Sequence, residues 1–442
     1  MKVKRLTMNS FRGISDLTLE FHETEPTVFI GINGVGKSSI LDCLSILLSW
    51  LIAQLQFDPN AVGSFMSKQD GRLVSGRQQD LANGRIFGQK DIKNGENKTH
   101  NEIAISLNSQ EVKWSINTFQ IGGNTGLGLK TALVELEPVT NNIRRHWEEN
   151  PEANIPLVVY YPVNRAVLNI PLETPKEEYS FKQVDAYEQA LNGIQINFSS
   201  FFQWFRAVED LENEQRRDEP DYRNRQIEAV RQAIYSLLPG FSNLRVRRSP
   251  LRMSVTKQGQ ELIVNQLSDG EKCLLAMVGD LARRLAIANP SLPDPLQGSG
   301  VVLIDEIELH LHPKWQREII PALTRTFPNC QFIVTTHSPQ VISQVKPEGI
   351  YILERTDEGI VAMRPESSYG RDSNRILEDL MDVPERPQEI KESLLELFRL
   401  IARGELDGAR QLHQKIADEI GGDDPELVGA NVSIRRREIL GR

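Results

Sequence analysis

The chain has 442 residues, of which 25% are charged and 39% hydrophobic, and a formal net charge of −9. That length suggests two or three lobes around a large core, and the acidic balance excludes a globally basic nucleic-acid binder while leaving room for a local basic face. Cys43, Cys273 and Cys330 lie far apart with no C-x-x-C spacing, which argues for a reducing compartment and against a disulfide framework or a zinc site. The opening MKVKRLTMNSFRG lacks the apolar stretch of a secretory signal, so the expected location is cytoplasmic.

Lys2 to Met8 and the alternation of Leu17, Leu19 and Phe21 predict two strands around a turn at Asn9–Gly13. The apolar run Val28, Phe29, Ile30 then leads into GINGVGKSS, Gly31 to Ser39, and on to the apolar segment Ile40–Leu55. Strand, glycine-rich loop and helix are the context in which G-x-x-x-x-G-K-S forms a P-loop. Gly31, Gly34 and Gly36 let backbone N–H groups converge on phosphate oxygens, and the helix start adds its free donors. Asn33, Gly34, Val35, Gly36, Lys37, Ser38 and Ser39 are therefore assigned to a nucleoside triphosphate, with Lys37 on the outer phosphates and Ser38 on a magnesium ion. A plain glycine turn would not need strand, loop and Lys-Ser together. Ile40–Leu55 contains Asp42 and is short for a bilayer span, so it reads as the buried helix behind the loop, with no membrane partner.

Gln56–Asn101 is polar and predicts no regular structure. Ile103–Leu107 and Val112–Phe119 predict an antiparallel hairpin around Asn108–Gln110. Gly122–Gly128 reads as a flexible connection, Thr131–Trp147 as a helix and Leu157–Tyr161 as a buried strand. Phe181–Leu238 predicts a charged helical lobe broken near Asp218–Asp221, compact because it has no sustained heptads. Phe201, Phe202, Trp204 and Phe205 read as its core ahead of a base-stacking surface. Arg245, Arg247, Arg248 and Arg252, on strands Leu244–Arg248 and Leu251–Thr256, read as a solvated strand face ahead of a DNA-contacting patch.

Ser268-x-x-Glu271 in QLSDGEK has the form of a capping box, followed by Leu274, Val278, Leu281 and Leu285 at helical spacing. Alone it marks only a helix start. Downstream, Gly300–Ile304 runs into Asp305 and Glu306, the pattern of a buried parallel strand delivering carboxylates to the C-terminal edge of a sheet. Asp305 is placed to hold magnesium with Ser38, and Glu306 to polarise the attacking water. Gln331–Val334 predicts another buried strand, ending at Thr335-Thr336-His337-Ser338-Pro339, where His337 can sense the γ-phosphate. His310 and His312 lack the further ligands of a tetrahedral metal site and read as lining the site or a subunit interface. Arg435–Arg437 is either a solvated helix end or a partner contact. The residues after Leu353 predict mostly helices, Gln388–Ala402 and Leu406–Ile420, without the acid-tipped strands of a Toprim nuclease. Any nucleic-acid cleavage is therefore expected from another subunit.

In this order, P-loop, LSDGEK, Asp305-Glu306 and TTHSP resemble the ABC-type ATPases of the structural-maintenance-of-chromosomes and RecF class, and NSFRGISDLTLEF is similar to their opening. DEIELHLHPKWQ, YYPVNR (Tyr160–Arg165) and ARQLHQKI with DDPELVGA resemble a compact bacterial branch: the overcoming-lysogenization-defect type and the ATPase subunits of Septu and retron-linked anti-phage systems. The reading is an α/β ABC-type ATPase head with an inserted helical lobe and a helical C-terminal region. Its parts are residues 1–165, an ATPase lobe; 166–243, the helical insertion; 244–355, the second ATPase lobe; and 356–442, mostly helical. The resemblance implies ATP and Mg2+ as cofactors and a homodimer closed around ATP, with Glu306 and His337 catalytic. Ser268 and Gly270 would serve the opposite subunit's phosphates. It also implies control of an effector such as an HNH-type nuclease in defence, with nucleic acid an open further partner. A DNA-repair or chromosome-associated clamp and a nucleotide-sensing scaffold with negligible turnover stay as alternatives. The sequence departs from the class signature at Asp269, where glycine is usual, so Ser268 and the helix N-terminus are expected to make the phosphate contact. Gln89, before Asp91, is the candidate lid glutamine.

Overall fold

The computed structural model describes residues 1–56, 64–69, 72–77, 84–121, 126–165, 182–193, 195–357 and 359–440. They form two compact units, Met1–Arg371 and Asp372–Arg442. In chain order the first unit begins with β1 (Lys2–Phe11), β2 (Ile14–Glu20), β3 (Thr27–Ile30), α1 (Lys37–Gln56), β4 (Ser64–Gln69), β5 (Arg72–Arg77), β6 (Lys98–Leu107), β7 (Gln110–Ile121) and β8 (Gly126–Ala132). It continues with α2 (Leu136–Glu149), β9 (Leu157–Tyr161), α3 (Phe198–Asp218), α4 (Arg225–Leu237), β10 (Phe241–Arg248), β11 (Leu251–Lys257), β12 (Gln260–Ile263) and α5 (Asp269–Ala288). It ends with β13 (Gly300–Ile304), α6 (Pro313–Thr326), β14 (Cys330–Thr335), α7 (Pro339–Ile342), β15 (Ile350–Thr356) and β16 (Gly359–Met363). The second unit holds α8 (Ser373–Met381), α9 (Gln388–Arg403), α10 (Leu406–Ile420) and α11 (Pro425–Leu440).

The organising element is a six-stranded sheet in the order β16-β15-β3-β14-β13-β9. From β15 to β9 every pairing is parallel, and β16 closes one edge antiparallel. Strands β3, β9, β13 and β14 are buried at every residue, the reason their sequences read as unbroken apolar runs rather than alternating ones. A second, antiparallel sheet has the order β2-β1-β6-β7-β8. Helix α1 touches β6 of this sheet and β9, β13 and β14 of the parallel one, and Trp114 of β7 donates its indole N–H to the Leu47 carbonyl at 2.9 Å. Its length and composition would suit a membrane span, but here Leu44, Leu47, Leu48 and Leu51 are fully buried. Each such side chain contributes about 1.5–3 kcal/mol.

The hairpin at Asn108–Ser109 has both residues at positive φ, 51° and 66°, and pairs Leu107 with Gln110. That is the two-residue turn whose twist suits a β-hairpin. The expected helix over Thr131–Trp147 is shortened at its start. Thr131 and Ala132 belong to β8, paired with Ile116 and Ser115, and α2 begins at Leu136. The same strand takes up Gly126–Gly128 of the expected connection, while 122–125 lie outside the described residues. The β7 ladder outweighs the weak strand propensity of GLGLKTA. Part of the segment read as structureless is the hairpin β4–β5, and 57–63, 70–71 and 78–83 lie outside the described residues. Phe181 is also outside them, and the helical lobe starts in earnest at α3, which ends at Asp218 as the break predicts.

Phe201, Phe202, Trp204 and Phe205 are all core residues. The arginine cluster lies on the three-stranded sheet β10-β11-β12, and much of its charge is met within the protein. Arg245 and Arg247 pair with Glu261, and Arg248 with Glu209 and Asp210. In the second unit Ile390, Leu394, Leu397 and Ile401 of α9 pack with Ala409, Ile416, Leu427, Ala430 and Ile434. Arg435 and Arg436 are exposed on α11.

Helix α5 is tied to β9 through Asp280, which is 1% exposed. Its carboxylate accepts from Arg283 (2.9 Å), Arg284 (2.7 Å) and the Tyr161 hydroxyl (2.9 Å). Burial alone would raise this carboxyl, but the guanidiniums of Arg284 and Arg283 outweigh it and hold it at about 2. Asp280→Ala leaves buried guanidiniums without their counter-charge and is expected to destabilise the protein by about 3–5 kcal/mol at neutral pH, measured by chemical denaturation. Because the folded value lies below the ordinary 3.8, the wild-type advantage is complete above that pH and disappears as pH falls through about 2.

Candidate nucleotide site

Because β3, β14, β13 and β9 run parallel, their C-terminal ends share one edge of the sheet, the edge where open α/β sheets bind ligands. The loop after β3 has Gly31, Gly34 and Gly36 at φ 142°, 77° and 113°, a region open to glycine and strained for other residues. At Gly31 a Cβ would also sit 2.5 Å from the carbonyl of Leu353 in β15. Lys37 opens α1 and is 6% exposed. Its ammonium donates to the carbonyls of Gly31 (2.8 Å) and Ile32 (3.0 Å). Burial lowers its pKa, and the nearby carboxylates of Asp305, Glu306 and Glu308 pull the other way.

Across β14 from the loop, β13 leads directly into Asp305 and Glu306. Thr335 joins the two acids. Its hydroxyl donates to Asp305 Oδ1 at 2.5 Å and accepts the Glu306 N–H at 2.7 Å. Glu306 adopts a left-handed backbone, φ 46°, which costs about 1–2 kcal/mol for a residue with a Cβ. The guanidinium of Arg165 donates to the carbonyls of both Asp305 and Glu306. One turn on, Glu308 accepts from the Thr336 hydroxyl at 2.7 Å and from the His337 N–H. His337 is thereby held beside the acids. Its pKa is lowered, first by burial and then by the charge of Lys37, so the neutral imidazole is favoured at neutral pH.

Asn33, Gly34, Gly36, Lys37, Ser38, Ser39, Asp305, Glu306 and His337 line one cavity of about 210 Å³. Val35 is buried beneath the loop. A larger cavity of about 670 Å³ lies at the other end of the sheet, near the starts of β9 and β13, but among the described residues no Asp, Glu, Lys or Arg lines it. The charge needed to handle phosphate is concentrated in the smaller one. The Ser38 hydroxyl and the Asp305 carboxylate are hard oxygen donors facing this cavity, the donor type that suits Mg2+.

Ser268 and Gly270 are not in this cavity. Ser268 caps α5, with its N–H and its hydroxyl both directed at Glu271 Oε2, 3.0 and 2.8 Å away. Glu271 Oε1 in turn pairs with Lys257 at 2.6 Å. A Cβ on Gly270 would come within 2.3 Å of the His310 carbonyl, so close packing against the segment after β13 requires glycine there. Asp269, the departure from the usual signature, pairs with Lys272 at 3.1 Å. Gln89 is exposed on a 3-10 turn whose Asp91 is bonded to Arg12. His312 is the N-cap of α6, accepting the Lys314 N–H at 3.2 Å. The sequence alone assigns no role to Arg165, Glu308 or Thr335. The first two fall in YYPVNR and DEIELHLHP, stretches that mark the family without disclosing what each residue contacts.

A family model described as "AAA domain" matches residues 5–240, and another, "AAA domain, putative AbiEii toxin, Type IV TA system", matches residues 141–343. The chain is 30% identical to the "Retron Ec83 probable ATPase" of Escherichia coli, an alignment covering 99% of this chain and 87% of the relative. It is also 30% identical to the "Retron Vc95 probable ATPase" of Vibrio cholerae serotype O1 biovar El Tor, covering 92% and 85% of the two chains. The "Septu protein PtuA" of Bacillus thuringiensis is 22% identical over 87% of this chain and 85% of its own. With one AAA model spanning more than half of the residues and a retron relative aligned almost end to end, this protein belongs to the AAA-domain family of P-loop proteins, together with the retron probable ATPases it matches.

Proposed function

We propose that this protein is an ATP-hydrolysing ABC-type ATPase that closes as a homodimer around ATP and Mg2+ and thereby controls a partner effector in cytoplasmic anti-phage defence. The observation that carries the reading is the division of the assigned residues. Lys37, Ser38, Asp305, Glu306 and His337 share one cavity, whereas Ser268 and Gly270 lie outside it. A second subunit is needed to complete such a site. At about 210 Å³ the cavity is also below the usual 300–1,000 Å³ of small-molecule sites. Lys37 would exchange its loop carbonyls for the outer phosphates, and Ser38 with Asp305 would hold the metal, which supplies charge neutralisation at the β- and γ-phosphates. Glu306 takes the proton of the attacking water. His337, neutral, donates a hydrogen bond to the γ-phosphate.

Residues 1–165 and 244–355 are then two halves of one ATPase head, consistent with β3 lying between β14 and β15. Within the 166–243 segment the described helices α3 and α4 make the helical insertion, and within 356–442 the helices α8–α11 make the C-terminal region, β16 belonging with the sheet of the head. An HNH-type nuclease fits the effector role, since the chain's own chemistry is assigned to nucleotide.

Complementation tests the composite site. Lys37→Ala and Ser268→Arg are each expected to be inactive as homodimers. A mixed dimer has one site with both halves intact and one with both lesions. Mixing the inactive proteins is expected to restore ATPase activity, up to about half the wild-type rate per mixed dimer if the sites act independently. Heterodimers are verified by tag pull-down. Their presence without any rescue would count against Ser268 serving the opposite subunit.

A further inference from the structure

Strand β9 pairs with β13 residue for residue, Tyr161 opposite Ile304, and the chain leaving β9 carries Arg165 over the end of β13. Arg165 is 4% exposed. Its Nη1 donates to the carbonyls of Pro162 (3.1 Å) and Asp305, and its Nη2 to the carbonyl of Glu306 at 2.7 Å. In an extended strand the features of successive residues alternate between opposite sides. Here the chain turns left-handed at Glu306, and two consecutive carbonyls meet one guanidinium. The other end of the Glu306 residue is held as well, its N–H by the Thr335 hydroxyl, and its carbonyl also accepts the Leu309 N–H at 2.9 Å. Glu306 lines the phosphate cavity and Arg165 does not. A buried guanidinium is costly to desolvate unless its donors are used, and those of Arg165 are used on the main chain of the acids rather than on their carboxylates.

We propose that Arg165 is a positioning residue for ATP hydrolysis: its forked donors hold the Asp305–Glu306 main chain in the turn that aims the Glu306 carboxylate into the cavity, without itself binding nucleotide. The inference rests on Glu306 being the group that activates water. Lysine cannot replace the fork, because a single ammonium is a point charge without the planar, two-pronged donor geometry.

The test is a pair of Arg165 variants measured alone and combined with Glu306→Gln. Arg165→Met and Arg165→Lys are expected to lower kcat by about 10- to 100-fold, the scale of a displaced catalytic group, while nucleotide affinity stays within about twofold of wild type, as for a residue acting only in the transition state. In a Glu306→Gln background, Arg165→Met is expected to remove no more than about a further twofold, because residues acting as a unit are not additive. Nucleotide affinity reports folding in each case, and Arg165→Lys, which keeps a buried cation, carries the test if the methionine variant misfolds. Wild-type kcat in both variants, or a double-variant loss equal to the product of the single losses, would overturn the proposal. A Glu306→Gln protein with full turnover would overturn it differently, by removing Glu306 as the base.

Discussion

Glu306→Gln is expected to bind ATP as the wild type does and to hydrolyse it about 10²- to 10⁴-fold more slowly, the scale of losing a general base. The substitution changes no volume and keeps a side chain able to bond a water. The contacts that hold this residue in place, from Thr335 and Arg165, are made to its N–H and carbonyl, so they survive the change. What is lost is the negative charge and the capacity to take a proton. Equilibrium binding of a fluorescent ATP analogue and steady-state phosphate release separate the two effects. Unchanged turnover would move the base elsewhere, with His337, which lines the same cavity, next in line. Negligible turnover in the wild type itself would favour the nucleotide-sensing scaffold.

Lys37→Ala is expected to abolish ATP binding at ordinary concentrations while leaving the protein folded. Removing a buried cation from its charged partner costs about 2–5 kcal/mol, or roughly 30- to 5,000-fold in affinity. Among the described residues Lys37 donates only to the loop's own carbonyls, and the apolar residues of α1 behind it do not depend on the ammonium. A thermal melt without nucleotide should therefore be close to wild type, and the rise in melting temperature that ATP gives the wild type should vanish. Wild-type affinity in a folded Lys37→Ala protein would remove the P-loop assignment.

The parts of the site that were legible in the sequence are those encoded by a few adjacent residues. GINGVGKSS lies between a buried strand and a helix, Asp305 and Glu306 follow VVLI, and His337 follows a second apolar run. Each is a local pattern at a strand end, and parallel pairing brings those ends to one edge. What was not legible depends on partners far apart in the chain. Nothing near Arg165 announces that it will bond the carbonyls of residues 305 and 306, and nothing near Thr335 that one hydroxyl will serve both acids. Strand β8 was missed for a related reason, since GLGLKTA has little preference of its own and takes its form from β7. His312 shows the opposite case. In the sequence it reads as lining the site or a subunit interface, while the structure employs it to cap α6.

The strand order also governs when this site can come into being during synthesis. Strand β3, which delivers the P-loop, hydrogen-bonds to β14 on one side and β15 on the other, and both are made some three hundred residues later. Until Thr335 has left the ribosome the P-loop strand has neither of its neighbours, and until Ile352 has left it still lacks β15. The N-terminal portion of a nascent chain thus contains the whole GINGVGKSS motif with no sheet to hold it. Closing such distant contacts is slow, and an apolar strand with open edges is exposed to mispairing while it waits. Nucleotide binding therefore becomes available only late in folding, once the strands from the far half of the first unit have been inserted beside β3.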